Sequence, residues 1–559
     1  MLLGWAATSS LLLAQTIQVT SANPSAAPQG TINLNVAVGG NGFKKGAKAA
    51  FFLSGTNDPD GVTVNSTSFN SSSQVTANIT IPDTASIADF DVQVQNADGR
   101  TGKGAHLFAV TAKGTPVGCT TLGTPSGFSL VTTLNYINAS GVPQYTGSFG
   151  GTIRVRPVTL TYGTESKMVL LAAVSTNVGG RMEFFILDPA TGEVLDGQPL
   201  FSGGPVQPHI TVIYDPTDTI GARVIAAGDI NADGIPDFVI GSRFNNIAFA
   251  FLGSVTNGVL SYSAITIPAP SGNSGRFGAG VAMGNLDGLP GDEIAVGDSG
   301  SGTGHNAKPG KVFIYKFNGS GLDLIGTPLE SPNAALGFGA SVAIGDVTGD
   351  GAPDLVVGNG NTGNIVYVFP APLSSTFSYA LTTGVTGSSL FSQVAAGHFS
   401  SSSATDVIAT TSAGSSAVEV AVFAGPITSN RTSPTFTFPA DSGLSTTGWG
   451  TGFDAADIDG DALGGVEILV GAPNANNSTS CGTNVGAAEV YFSNPLNPSQ
   501  PTLYVFQPPV LDSNTGLYGW GVGAVPATPG NPPLLLVGET AQTLGGVANA
   551  GQVYVYKKN

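Results

Sequence analysis

The sequence predicts an all-β protein in which a small β-sandwich precedes a seven-bladed β-propeller. Three observations point there. Of 559 residues, 79 are Gly and 36 Pro while only 10% are charged, a vocabulary of strands and tight turns rather than of helices. Near the N-terminus, short runs alternate apolar and polar residues, the period of a half-buried strand. From about residue 220 onward one pattern recurs at intervals of 52 to 61 residues, and self-similarity at such a period marks a repeat architecture. A mean hydropathy of +0.20 is too apolar for a disordered chain, and Gly does not recur every third residue as collagen requires.

Charge narrows the partners. Nineteen Lys and Arg stand against 36 Asp and Glu, for a net charge of −17. Nucleic acid is excluded as an expected partner, because phosphate contacts need clustered cations and the one local cluster is Lys44, Lys45 and Lys48. Residues 1–15 (MLLGWAATSSLLLAQ) have the length and apolarity of an export-signal core but no basic start. No later apolar run reaches the ~18 residues of a membrane helix, so no transmembrane segment is expected. The expected location is secreted or at the cell surface. Cys119 and Cys481 are the only cysteines, too few for a disulfide framework or a four-ligand zinc site. One bridge and two unpaired thiols both remain open.

Residues 16–111 read as the sandwich. Alternation appears at Ile17-Gln18-Val19, Ile32-Asn33-Leu34-Asn35-Val36 and Phe90-Asp91-Val92-Gln93-Val94, with turn signals at Asn23-Pro24, Asp58-Pro59-Asp60-Gly61 and Asp98-Gly99. The spacing suits an immunoglobulin-like fold without a Cys-Trp-Cys core. Through Asn23-Pro24, Gly30-Thr31, Gly40-Asn41-Gly42-Phe43 and Phe90 to Gly99, the segment resembles the IPT/TIG group of such domains, which implies a spacing or presenting role. Residues 112–126, rich in Gly, Thr and Pro, read as a linker, and 127–559 as the propeller.

Within the propeller each unit has a small-residue strand, an acidic loop and an apolar strand. The loops follow Asp-x-(Asp/Asn)-x-Asp-Gly-x-x-Asp, with side-chain oxygens at positions one, three, five and nine. Short oxygen ligands on alternate residues can converge on calcium, which takes six to eight hard oxygens. Position twelve falls inside a strand, so this is not an EF-hand. Two loops are complete: Asp229, Asn231, Asp233 and Asp237, and Asp346, Thr348, Asp350 and Asp354. A third has Asp457, Asp459 and Asp461, with Glu467 two residues later than the template. The loop of Asn285 and Asp287 has Leu289 at position five and Asp292 or Glu293 at the end, and is expected to bind weakly. The His398 loop keeps Asp406 alone and is expected to bind nothing; the repeat from Tyr518 has no loop acids. Residues 127–200 lack an acidic loop but carry the strand pattern at Lys167–Val174 and Met182–Leu187, which brings the count to seven.

The repeats resemble the FG-GAP repeats of integrin α-subunit propellers and related bacterial VCBS proteins. Phe277-Gly278, Phe338-Gly339, Trp449-Gly450 and Tyr518-Gly519 match the first half of the signature and Gly471-Ala472-Pro473 the second. The resemblance implies a calcium-stabilised propeller with two to four Ca2+ sites at the loop positions named above. The expected function is binding or adhesion to a protein or glycan through propeller loops. Two alternatives are a self-assembling subunit of an extracellular layer or fibre, and a polysaccharide lyase or hydrolase. The enzyme reading has little support. No G-x-S-x-G elbow occurs, and His106, His209, His305 and His398 show no metalloenzyme spacing. No catalytic residue is assigned.

Overall fold

The computed structural model describes residues 16–28, 34–82, 85–111, 124–135, 149–176, 180–214, 224–300, 308–332, 337–359, 365–374, 378–382, 391–400, 402–411, 418–441, 444, 448–458, 465–475, 485–494, 498–509, 517–526, 531–541 and 550–559. Residues 1–15, Gly30, Thr31, Ile32, Asn33, Cys119, Cys481, Asp459, Asp461, His305 and most of 112–126 lie outside them. The described residues are all-β, with no helix long and apolar enough to cross a membrane. Two compact units divide the chain, Met1–Gly118 and Cys119–Asn559.

The first unit contains two four-stranded sheets among its described residues. One orders Gln18–Asn23, Leu34–Asn41, Gln74–Thr80 and Thr63–Ser71; the other orders Ala26–Pro28, Thr101–Thr111, Ala88–Gln95 and Lys48–Leu53. In Gln74–Thr80 alternate residues are buried. Val75, Ala77 and Ile79 meet Phe51, Phe90, Val92 and Val94 of the other sheet in a single core, as the period-two pattern requires.

The described residues of the second unit form seven four-stranded antiparallel sheets, here I to VII. Sheet I is Phe149–Tyr162, Glu165–Thr176, Arg181–Leu187 and Ile210–Ile213; sheet II is Val224–Gly228, Asp237–Ser242, Ile247–Thr256 and Val259–Pro268. Sheet III is Phe277–Gly284, Glu293–Asp298, Lys311–Phe317 and Leu322–Glu330; sheet IV is Phe338–Gly345, Asp354–Asn359, Ile365–Phe369 and Tyr379–Thr382. Sheet V is Phe391–Gly397, Asp406–Thr411, Glu419–Phe423 and Phe436–Pro439; sheet VI is Phe453–Ala456, Glu467–Ala472, Ala487–Phe492 and Thr502–Phe506. Sheet VII takes Tyr518–Val525, Leu534–Glu539 and Gln552–Lys558, and its fourth strand is Phe128–Leu134. That strand, read from sequence as part of the first repeat, therefore completes the last sheet.

Seven hydrophobic clusters fill the spaces between consecutive sheets. Between sheets I and II, Phe184 packs with Phe238 and Phe251. Between sheets VII and I, Leu534, Leu536 and Val553 meet Ile153 and Leu170. The second strands Asp237–Ser242, Glu293–Asp298, Asp354–Asn359, Glu467–Ala472 and Leu534–Glu539 are buried along their whole length, because both of their faces are covered by neighbouring sheets. Fourth strands such as Leu322–Glu330 are largely exposed.

The Phe-Gly signature has a packing reason. Phe338 is fully buried against Tyr367, with ring centroids 5.7 Å apart. Gly339 has φ +83°, and its carbonyl abuts Gly297 of sheet III, where a Cβ would collide with it. Both positions therefore need glycine. Sheet I has the same device in Phe149-Gly150, with Gly150 at φ +93° against Gly538. No acidic loop follows this pair, so it does not stand out in the sequence.

Candidate metal centre

The acidic loops join the first strand of a sheet to the second. In each of sheets II to VI the last acid of the loop, ninth in sheets II to V and eleventh in sheet VI, opens the second strand and pairs with the last residue of the first: Gly228 with Asp237, Gly284 with Glu293, Gly345 with Asp354, Gly397 with Asp406 and Ala456 with Glu467. All five acids have 0% exposure. A buried carboxylate needs donors, and the fold supplies them from two directions. One set is the amides of its own loop, and the other comes from the third strand or the hairpin just beyond it.

In sheet II, Asp237 accepts from Ile230 N and Gly253 N, each at 2.8 Å. Asp229 accepts from Asp233 N at 3.1 Å and Gly234 N at 2.8 Å, and Asp233 accepts from Ile235 N at 2.8 Å and Asn231 Nδ2 at 3.0 Å. Ala232 and Gly234 take positive φ, +56° and +80°, to wrap the chain. Burial pushes the Asp237 carboxyl up to about 7, and the charges of Asp233 and Asp229 add to the rise. Sheet IV repeats the arrangement. Asp354 accepts from Val347 N at 2.9 Å, Thr348 N at 2.8 Å and Ala371 N at 3.1 Å, and Thr348 Oγ1 donates to it at 3.3 Å. Asp346 accepts from Gly349 N at 2.7 Å and Gly351 N at 3.0 Å, and Asp350 from Ala352 N at 2.9 Å. Burial raises the Asp354 pKa, with Asp350 contributing. Among the described residues, no lysine or arginine is ion-paired with the carboxylates of either loop.

Sheet III balances its acids differently. Lys316, across the ladder from Glu293, places Nζ 2.8 Å from Glu293 Oε1 and also binds Asp287 Oδ2. Glu293 Oε2 accepts from Leu286 N at 2.7 Å and Asp287 N at 3.2 Å, so Glu293 and not Asp292 is the ninth-position acid. Asp292 instead accepts from Asp229 N at 2.8 Å, and Asp292 N donates back to the Asp229 carbonyl at 2.8 Å, tying loop III to loop II. Asn285 closes its own turn by accepting from Gly288 N at 2.6 Å.

Sheet V has hydroxyls in place of acids. Asp406 accepts from Phe399 N at 2.9 Å, Ser400 N at 2.6 Å, Gly425 N at 3.0 Å, Ser400 Oγ at 2.9 Å and Ser402 Oγ at 2.7 Å. In sheet VI, Glu467 accepts from Ile458 N at 2.6 Å and from Ser493 N at 3.3 Å, so the longer side chain reaches the same place from a longer loop. Asp457 is described beside it, and Asp459 and Asp461 lie outside the described residues.

Among the described residues, no three His, Cys, Asp or Glu side chains converge on a point that an ion could occupy; the loop carboxylates are turned onto backbone amides. The donor sets of loops II and IV nevertheless fit a hard cation, since each gathers three carboxylates and a neutral oxygen within nine residues and leaves their charge unbalanced. Of the histidines, His209 is held on both sides, Nδ1 at 2.8 Å from Asp196 and Nε2 at 3.0 Å from Glu183. Lys316, Ser400 and Ser402 were missed from sequence; counting the ladder register from Glu293 to the third strand would have found the lysine.

An FG-GAP repeat family model matches residues 338–369, the first three strands of sheet IV. No curated protein is significantly similar to the chain. A crystal structure of a DUF4784 family protein from Bacteroides caccae aligns at 13% identity over 74% of this chain and 94% of that one, with a TM-score of 0.21.

Proposed function

We propose that the chain is an extracellular, calcium-stabilised seven-bladed β-propeller, carrying an N-terminal IPT/TIG-like sandwich, that binds a protein or glycan through its propeller loops. The FG-GAP match at residues 338–369 supports the repeat, and such repeats are typical of extracellular and surface proteins. The observation that carries the calcium reading is the contrast among loops. Loop III has Lys316 against its acids, whereas loops II and IV have three carboxylates each and no such partner among the described residues.

In loop II the ion would be held by Asp229, Asn231, Asp233 and Asp237, and in loop IV by Asp346, Thr348, Asp350 and Asp354. Calcium supplies the positive charge that offsets mutual repulsion of these carboxylates and so couples metal to stability. The chain's own residues do the rest: the ninth-position acid anchors the loop to the third strand in sheet II and to the hairpin beyond it in sheet IV, and the amides of the loop orient the acids at positions one and five. No residue is given a catalytic role.

Calcium titration of chelator-stripped protein tests it, read by calorimetry and by melting temperature. Two to four sites with a saturable rise in melting temperature are expected. Absence of both would remove the metal from the reading and leave the loops as plain turns.

A further inference from the structure

A cavity of about 740 Å³ opens between sheets III and IV. Its apolar walls include Leu286, Ile314 and Ile325 of sheet III and Pro353, Pro372 and Leu373 of sheet IV. Ile314 is buried, and Leu286, Ile325 and Leu373 are partly buried against the core that these two sheets share. A cleft of roughly 300–1,000 Å³ with mostly apolar walls and a few polar groups has the size and character of a small-molecule site.

A break in one ladder builds it. The last two strands of sheet III pair Lys311 with Glu330 and Val312 with Leu329, then resume with Ile314 opposite Ile325. Gly326, Thr327 and Pro328 therefore stand opposite Phe313 alone, and Gly326 and Thr327 line the cavity. Gly326 takes φ +66°, in the left-handed region that glycine favours, and Pro328 has no N–H to offer the ladder. Sheet II has no such break: its last two strands pair continuously from Ile247 opposite Pro268 to Thr256 opposite Val259. Extra residues of this kind bend a strand and re-aim its side chains, and they concentrate at sheet edges and beside active sites.

The charge on the walls has one sign. Asp287 and Glu293 are the charged side chains that line the cavity, and among the described residues no Lys, Arg or His does. Lys316, outside the lining, binds both acids, and Asp323 stands opposite it in the ladder, on the same face. One ammonium thus faces three carboxylates. Glu293 is fully buried, whereas the Asp287 side chain is 33% exposed and within reach of a ligand. We infer that the cavity binds a small organic cation, an apolar body carrying an ammonium group. The body lies against Leu286, Ile325 and Leu373, and the ammonium pairs with Asp287. The site does not rest on calcium binding in loops II and IV.

Phenethylammonium, phenethyl alcohol and hydrocinnamate share one apolar body and differ in head group. Each is titrated by calorimetry into the full chain in calcium-containing buffer at matched ionic strength. One saturable site is expected for the ammonium, binding about fivefold weaker for the alcohol, and none for the carboxylate. Asp287→Asn should weaken the ammonium by about fivefold and leave the alcohol unchanged. Thr327→Trp, at an exposed position in the cavity wall, fills the space and should abolish binding of both. Should Asp287→Asn fail to fold, Thr327→Trp and the alcohol decide. No saturable ammonium binding, an alcohol as tight as the ammonium, or full affinity in either variant would each overturn the assignment.

Discussion

In sheet IV the loop from Asp346 to Asp354 carries three carboxylates, and in sheet V the matching loop from His398 to Asp406 carries one. Their ninth-position acids nonetheless sit in the same place. Each opens the second strand, is fully buried and accepts amides from its own loop and from the hairpin beyond the third strand. What changes is the rest of the loop. Sheet V turns two serine hydroxyls onto its acid, whereas sheet IV surrounds its acid with further negative charge. The ninth position therefore belongs to the fold, and positions one, three and five set the charge around it.

The largest expected effect tests the shared part. Asp406→Ala leaves three amides and two hydroxyls without their acceptor, and Asp354→Ala strands its own set. Each should cost about 4 kcal/mol in urea unfolding with chelator present. A cost below about 1 kcal/mol, the size of an ordinary substitution, would show that the buried carboxylate is not structural and break the comparison. Next comes the part that differs. Asp350→Asn should remove one calcium equivalent and the associated stabilisation, about 2.7 kcal/mol at a hundredfold excess over Kd. Ser402→Ala should leave the stoichiometry alone. Equal calcium uptake by Asp350→Asn and the parent chain would detach loop IV from the metal.

Sheet III lies between these two cases, and Lys316 makes it separable. Lys316→Met removes the ammonium from Asp287 and from the fully buried Glu293. In chelator the variant should lose about 2 kcal/mol, and millimolar calcium should restore part of that loss. If calcium stabilises the variant no more than it does the parent, the lysine does not stand in for a cation.

The all-β character, the recurring hairpins and the positions of the loop acids were legible because strand period and turn chemistry are local. The roles of those acids were not. Asp237 and Asp354 read as ligands equal to Asp229 and Asp346, yet their burial depends on neighbouring sheets that local sequence does not show. Asp292 and Glu293 are adjacent and both acidic, and only the register places Glu293 in the loop and sends Asp292 to Asp229. Phe128–Leu134 could not be assigned to sheet VII from sequence, since its partner Gln552–Lys558 lies at the far end of the chain.

Sheet I offers a further way of balancing a buried carboxylate, and the smallest expected effect. Glu183 is fully buried, and its Oε2 meets His209 Nε2 at 3.0 Å and Thr211 Oγ1 at 2.5 Å, while Asp196 holds the other imidazole nitrogen. Burial alone would lower the His209 pKa, but the two carboxylates outweigh it and raise it from 6.5 to about 9. The folded state then holds the proton more tightly than the unfolded chain, so this contribution is complete below pH 6.5 and is lost as pH rises through about 9. With the imidazole about a quarter exposed, solvent screening reduces the contribution to about 1 kcal/mol. His209→Gln should flatten the fall in stability across that window in urea unfolding at fixed calcium. A variant that loses stability with the same slope as the parent would show that the imidazole carries no charge between its two acids, and that neutral donors balance Glu183 as the serines balance Asp406.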